Sequence, residues 1–158
     1  MAKSQSTSGG NSDIVRELCV AYAMELETVQ NYIANSVHLD GVRSETIKKA
    51  LAADVPVELM HAQQIAQRIK TIGGRVPGSL ENKTSQKSLQ PPKDTTDIVA
   101  VIRGVIAAEE NAIAHYNKII RLCEGRDYVT QDLVIGILGG EEDHRREFMG
   151  FLREYAKA

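Results

Sequence analysis

The sequence predicts an all-α fold, a four-helix bundle built from two antiparallel hairpins joined by one long crossover. Three observations predict it. Four long stretches carry apolar residues at the i, i+3, i+4, i+7 spacing of a helix face. Turn residues separate the first stretch from the second and the third from the fourth, while a longer polar linker with prolines separates the two pairs. Apolar residues make up 42% of the chain, yet aromatics are only 4% and Trp is absent. A core of Leu, Ile, Val, Ala and Met suits helices better than sheets.

The first helix is expected from Asp13 to His38, with Ile14, Leu18, Ala21, Leu26, Val29, Tyr32 and Ile33 on its apolar side and Ser12 or Asp13 as its cap. Asp40 and Gly41 mark the turn that follows. The second helix is expected from Ser44, its cap, to Ile72. Pro56 lies inside it and lacks a backbone donor, so a kink or short break is expected near Asp54. Gly73 and Gly74 end that helix. The crossover, from Arg75 to about Lys93, holds Pro77, Gly78, Pro91 and Pro92 and shows no apolar period. At up to roughly 3.3 Å per residue it is long enough to run the length of a bundle. The third helix is expected from Thr95 to Cys123 and the fourth from Thr130 to Tyr155. Gly139 and Gly140 in the fourth either weaken it or admit another backbone.

A chain of 158 residues suits one compact domain, taken as residues 12–158. Residues 1–11 are polar, rich in Ser and Gly, and read as a flexible tail without the apolar stretch of a secretory signal. No apolar run is long enough to span a membrane. The formal net charge of −2 gives no bulk attraction to nucleic acid, so DNA is not an expected partner. Cys19 and Cys123 form no CxxC pair, and two reduced packing cysteines fit a cytoplasmic protein. Their distances from the glutamates below put them at heights differing by roughly 12 Å, too far for a disulfide.

The chemistry lies in a repeated pattern. Glu58 precedes His61 by three residues, and Glu141 precedes His144 by three. Three residues on a helix keep both side chains on one face. One such unit carries little weight, because Glu is common on helices. Each unit, however, follows a helix with a second pattern: Glu25 then Tyr32, and Glu109 then Tyr116, seven residues apart and again on one face. The turns test the pairing. The midpoint between Glu25 and Glu58 falls between Gly41 and Val42, and the midpoint between Glu109 and Glu141 is Gly125. In an antiparallel hairpin, residues equidistant from the turn lie level, here roughly 24 Å from it. Docking the hairpins therefore gathers four Glu and two His in one layer. Buried without metal, such a layer would be heavily penalised. Two divalent cations would neutralise the four carboxylates, and this donor set suits a pair of irons or manganese ions. Glu25, Glu58, His61, Glu109, Glu141 and His144 are the candidate metal ligands. Tyr32 and Tyr116 are the candidate catalytic residues: they hydrogen-bond ligand carboxylates, take part in redox chemistry, or are core tyrosines with a satisfied hydroxyl. Glu27, Glu110 and Glu142 read as supporting, ion-access or surface residues, and His38 and His115 as surface or packing residues.

On Glu25, Tyr32, Glu58, His61, Glu109, Tyr116, Glu141 and His144, and on the stretch from Tyr128 through Leu138 into Glu141 and His144, the chain resembles the ferritin-like superfamily, in particular bacterioferritins and Dps-like mini-ferritins. The resemblance spans about Asp13 to Tyr155. It implies a ferroxidase centre of two iron ions per subunit, where iron(II) is oxidised by O2 or H2O2 and stored as a ferric mineral. Bacterioferritins carry a haem-ligating Met directly after the second-helix Glu; here that place is Leu59, with Met60 one step around the helix, so haem is not expected. Only 14 residues follow His144, which leans towards a homo-oligomeric shell of twelve subunits, or a smaller oligomer, rather than the larger cage with a fifth helix. The alternative function is a non-storing di-iron or di-manganese redox enzyme, a peroxidase, catalase or oxidase. A metal-free structural bundle is the third.

Overall fold

The computed structural model describes residues 11–157. The tail expected of residues 1–11 therefore lies, apart from Asn11, outside the described residues. The described residues fold into four long helices and no strand: α1 (Ser12–His38), α2 (Glu45–Thr71), α3 (Ile98–Cys123) and α4 (Tyr128–Tyr155). α1 packs along α2, α3 along α4, and α1 meets α3 across the bundle. The two hairpins turn where the midpoints put them. Gly41 and Gly125 adopt φ of 91° and 67°, a left-handed conformation that glycine takes without the Cβ penalty of other residues.

The helix starts differ from expectation, and at α2, α3 and α4 short polar side chains capture the backbone. α1 starts with Asn11, not Ser12 or Asp13, in the capping position. Ser44 stands at the start of α2 but does not cap it; its hydroxyl donates back to the Gly41 carbonyl at 2.6 Å, closing a 3-10 turn over Val42–Ser44. α3 begins at Ile98 rather than Thr95, because Asp94 accepts from the Thr96 amide at 2.9 Å and Asp97 caps the helix by accepting from the Ala100 amide at 3.0 Å. Asp127 does the same for α4, accepting from the Thr130 amide at 3.0 Å, and its carboxylate is gripped by Arg68 of α2 at 2.8 and 3.0 Å.

Of the kink or short break expected near Asp54, the break does not occur; α2 runs unbroken through Pro56. Pro56 and Ala52, the residue whose carbonyl loses its partner, are both exposed, so the lost bond falls on the solvent side of the helix. Ile47 and Leu51 before the proline and Glu58, His61 and Ile65 after it are buried and hold the helix from both sides. α4 likewise continues through Gly139 and Gly140.

The crossover is fastened to α1. Glu27, 8% exposed, accepts from the amides of Ser85 and Gln86 at 2.8–2.9 Å. Gln86 bonds Thr28 and Asn31, and Asn35 donates to the Leu89 carbonyl at 2.9 Å. Leu89 is fully buried, and its backbone lies so close to α3 that a Cβ on Gly104 would stand 2.5 Å from the Ser88 carbonyl oxygen. The apolar core forms two clusters. Ile14, Leu18, Ile65, Ile69, Tyr116 and Ile119 belong to one, and Tyr32, Leu51, Leu89, Ile102, Val105 and Phe148 to the other.

Candidate metal centre

All four helices contribute to one polar layer. Glu25 comes from α1, Glu58 and His61 from α2, Glu109 from α3, Glu141 and His144 from α4. The four carboxylates are each at most 2% exposed. Their donor atoms form two overlapping groups, Glu25, Glu58, His61 and Glu141, and Glu58, Glu109, Glu141 and His144, each within 4.8 Å. Glu58 and Glu141 belong to both. His61 Nδ1 lies 3.1 Å from Glu141 Oε1, and His144 Nδ1 lies 3.0 Å from Glu58 Oε1. Yet Glu25 Oε2, Glu58 Oε1, Glu141 Oε1 and both Nδ1 atoms are buried with no hydrogen-bond partner. Buried polar groups are rarely left so. Four carboxylates and two imidazoles converging in one buried layer have the donor chemistry of a cation site.

The tyrosines cross the bundle. Tyr32 of α1 donates to Glu109 Oε1 of α3 at 2.5 Å, and Tyr116 of α3 donates to Glu25 Oε1 of α1. α1 and α3 run antiparallel, so seven residues beyond each Glu leads in opposite directions. One tyrosine therefore closes the layer above and the other below. Both phenols are held well above their usual range, by burial and by Glu109 for Tyr32, by burial and by Glu25 for Tyr116.

The electrostatics follow from crowding. Burial pushes Glu25 up to about 8, against the pull of His61 and with the push of Glu58. Burial opposes ionisation of Glu58 too, but His144, His61 and Glu25 reverse it and bring that carboxyl down to about 2. Burial and then Glu141 hold Glu109 well above the carboxylate range, and burial raises Glu141 to about 7. Burial disfavours charged imidazoles, yet Glu141, Glu25 and Glu58 raise His61 to about 12, and Glu58 raises His144 to about 9.

A family model described as the ferritin-like domain matches residues 17–158. The chain belongs to the ferritin-like family. It is 27% identical over 134 residues to a "DNA protection during starvation protein" of Pyrococcus furiosus, covering 83% of this chain and 72% of that one. It is 29% identical over 133 residues to a "Bacterioferritin" of Desulfovibrio desulfuricans, covering 83% and 69%. Among solved structures it resembles a ferritin-like, diiron-carboxylate protein of Bacillus anthracis, with a TM-score of 0.81 over 92% of this chain and 99% of that one, at 18% identity. At that identity the likeness speaks to the fold.

Other candidates of this ferritin-like chain lie elsewhere. Glu27 is committed to the crossover, while Glu110 and Glu142 are exposed. His38 contacts the Pro92 carbonyl at 2.7 Å, and His115 the Glu17 carbonyl at 2.9 Å. Cys19 and Cys123 are free thiols, and burial raises both. Asp54 was not singled out by the sequence pattern, beyond the expected kink. Its Oδ1 lies 3.8 Å from His144 Nε2, and burial raises its carboxyl to about 6. Its signal was its place one helical turn before Glu58. No helix of the described residues is long and apolar enough to cross a membrane.

Proposed function

We propose that this chain is a di-iron ferroxidase that oxidises iron(II) with O2 or H2O2 and stores the product. In this reading residues 12–158 form one domain, which assembles into a homo-oligomeric shell, twelve subunits being favoured, in the cytoplasm. The observation that carries it is the pair of overlapping donor groups sharing Glu58 and Glu141, each with its buried donor atoms within 4.8 Å of one another. The name of one relative, "Bacterioferritin", supports iron handling. A formal charge of −2 supports protection by removing iron and peroxide rather than by covering a polyanion.

Glu25 and His61 would hold one iron(II) and Glu109 and His144 the other, with Glu58 and Glu141 belonging to both donor groups. Bound side by side, two iron(II) ions would supply two electrons together. With H2O2 as oxidant, these electrons and two protons give two waters, and the one-electron step that makes radicals is avoided. The chain's own residues set the conditions. Four carboxylates neutralise the charge of two divalent ions and favour the higher charge of iron(III). Tyr32 and Tyr116 keep Glu109 and Glu25 aimed inward from outside the layer, as positioning residues and as the nearest phenols for an electron or proton. Haem has no place in this reaction.

Aerobic iron(II) loading of metal-free protein, counting soluble iron per subunit, tests the proposal. Tens or more per subunit support storage. A plateau at about two, abolished in Glu58→Ala, replaces storage with a non-storing redox enzyme. No retained iron refutes the ferroxidase and turns the reading to manganese or to a structural bundle.

A further inference from the structure

The two halves of the layer repeat one another except behind the histidines. On α2 the order is Asp54, Glu58, His61; on α4 it is Ile137, Glu141, His144. Asp54 and Ile137 thus occupy equivalent places, one helical turn before the shared glutamate and on its face. Ile137 is 3% exposed and belongs to an apolar cluster. Asp54 instead sets Oδ1 3.8 Å from Nε2 of His144, and its Oδ2 is buried without a hydrogen-bond partner. The other nitrogen of that ring, Nδ1, faces Glu58 Oε1 at 3.0 Å. One helix therefore supplies a carboxylate at each end of the His144 imidazole. His61 is met at Nδ1 by Glu141, Glu58 and Glu25, while its Nε2 edge lies over Gly140, 3.7 Å from where a Cβ would stand.

We propose that Asp54 is a positioning residue that makes the two metal positions unequal, so that the position served by Glu58, Glu109, Glu141 and His144 takes a divalent cation first and more tightly. This rests on the two-metal reading above. A neutral imidazole binds metal through the nitrogen that lacks a proton, and the partner of the other nitrogen decides which one that is. A carboxylate beside Nε2 keeps the proton there, leaves the lone pair on Nδ1 and makes the ring a stronger donor. Ile137, the counterpart of Asp54, offers no such acceptor on the His61 half. Asp54 itself touches no iron in this scheme; it acts through His144.

Anaerobic cobalt(II) titration of the full-length, metal-free protein, followed by visible absorbance, tests this. The wild type is expected to bind two ions in unequal steps. Asp54→Asn weakens the tighter step about 10- to 100-fold and leaves the other unchanged. Asp54→Glu keeps the charge on a longer arm and retains part of the tight step, a second variant should the first fold poorly. A double-mutant cycle assigns the effect. It vanishes in a His144→Ala background and persists in His61→Ala. Equal steps in the wild type, equal loss in both steps, or an Asp54→Asn effect that survives without His144 overturns the proposal. A wild type that binds no cobalt overturns the two-metal reading itself, and this inference with it.

Discussion

Loading the layer with metal must expel protons. At pH 7 the metal-free His61 and His144, raised to about 12 and about 9, are charged. Glu25, at about 8, and Glu109, held well above the carboxylate range, are largely neutral; Glu141, at about 7, is half ionised, and Glu58, at about 2, is fully ionised. The metal-free layer is thus close to electrically neutral, as its burial demands. Ligation requires both imidazoles neutral and all four carboxylates ionised, so two divalent ions displace about four protons per subunit. The sign follows directly. Protons belong to the metal-free state, so raising the pH favours loading, and the logarithm of the two-ion association constant climbs by about four per pH unit near pH 7. The slope flattens above pH 9, once Glu141, Glu25 and His144 have lost their protons. Zinc(II) is the ion to use, because no oxidation contributes protons. Calorimetry at pH 7 in two buffers of different ionisation heat counts them. Release of less than about one proton would mean a layer already ionised without metal, and the burial argument for these six groups would fail.

Three further outcomes check the parts around the layer. Tyr116→Phe and Tyr32→Phe strand the outer oxygens of Glu25 and Glu109, and each is expected to lower metal-free stability by about 1–3 kcal/mol in urea unfolding and to slow iron(II) oxidation in stopped flow. Glu27→Ala leaves the Ser85 and Gln86 donors of the crossover unpaired, lowering stability by about 2–4 kcal/mol, while zinc stoichiometry stays at the wild-type value; loss of zinc would make Glu27 part of the site after all. Gly104→Val drives side-chain atoms into the backbone at Ser88 and Leu89. It is expected to cost about 1–3 kcal/mol and to expose the crossover to proteolysis; an unchanged melting temperature would show that this contact yields freely.

The layer was legible because helical spacing converts sequence distance into a shared face. The Glu25–Tyr32 and Glu58–His61 spacings could be read without coordinates, and the glycines at the hairpin midpoints fixed the height of each group. Asp54 was not legible in the same way. Its partner His144 lies on another hairpin, and its one local signal, a place one turn before Glu58, is shared by many solvated aspartates. The crossover hid its structure for a similar reason. Glu27 and Gln86 are polar and far apart in sequence, so each alone reads as surface, and only their reciprocal burial makes them a clasp. Pro56 misled in the other direction. The rule that proline breaks a helix assumes that the freed carbonyl has nowhere to turn, and here Ala52, which carries it, is exposed.

The same protonation pattern fixes how stability must vary with pH, and the sign reverses with metal. Glu25, Glu109 and Glu141 have native pKa values above their unfolded ones. A raised carboxyl holds a proton in the native state that the unfolded chain has shed, so its contribution falls as pH rises from the unfolded value to the native one. His61 and His144 are raised as well. Their contribution is complete below the unfolded pKa of imidazole and is lost as pH rises towards their native values. Glu58, lowered to about 2, acts oppositely, but its window closes below pH 5. Between pH 6.5 and 8 the raised groups all push one way. Metal-free protein is therefore expected to lose at least one proton's worth of stability across this range, about 1.4 kcal/mol per pH unit. Zinc-loaded protein should gain stability over the same range, because its ligands carry no protons to lose and its ions bind more tightly as pH rises. Glu25→Gln removes one contributor and should make the metal-free slope shallower. Chemical denaturation at several pH values, with and without zinc, measures both slopes. Parallel curves would refute the account, since they would mean that metal and protons do not compete for the same six side chains.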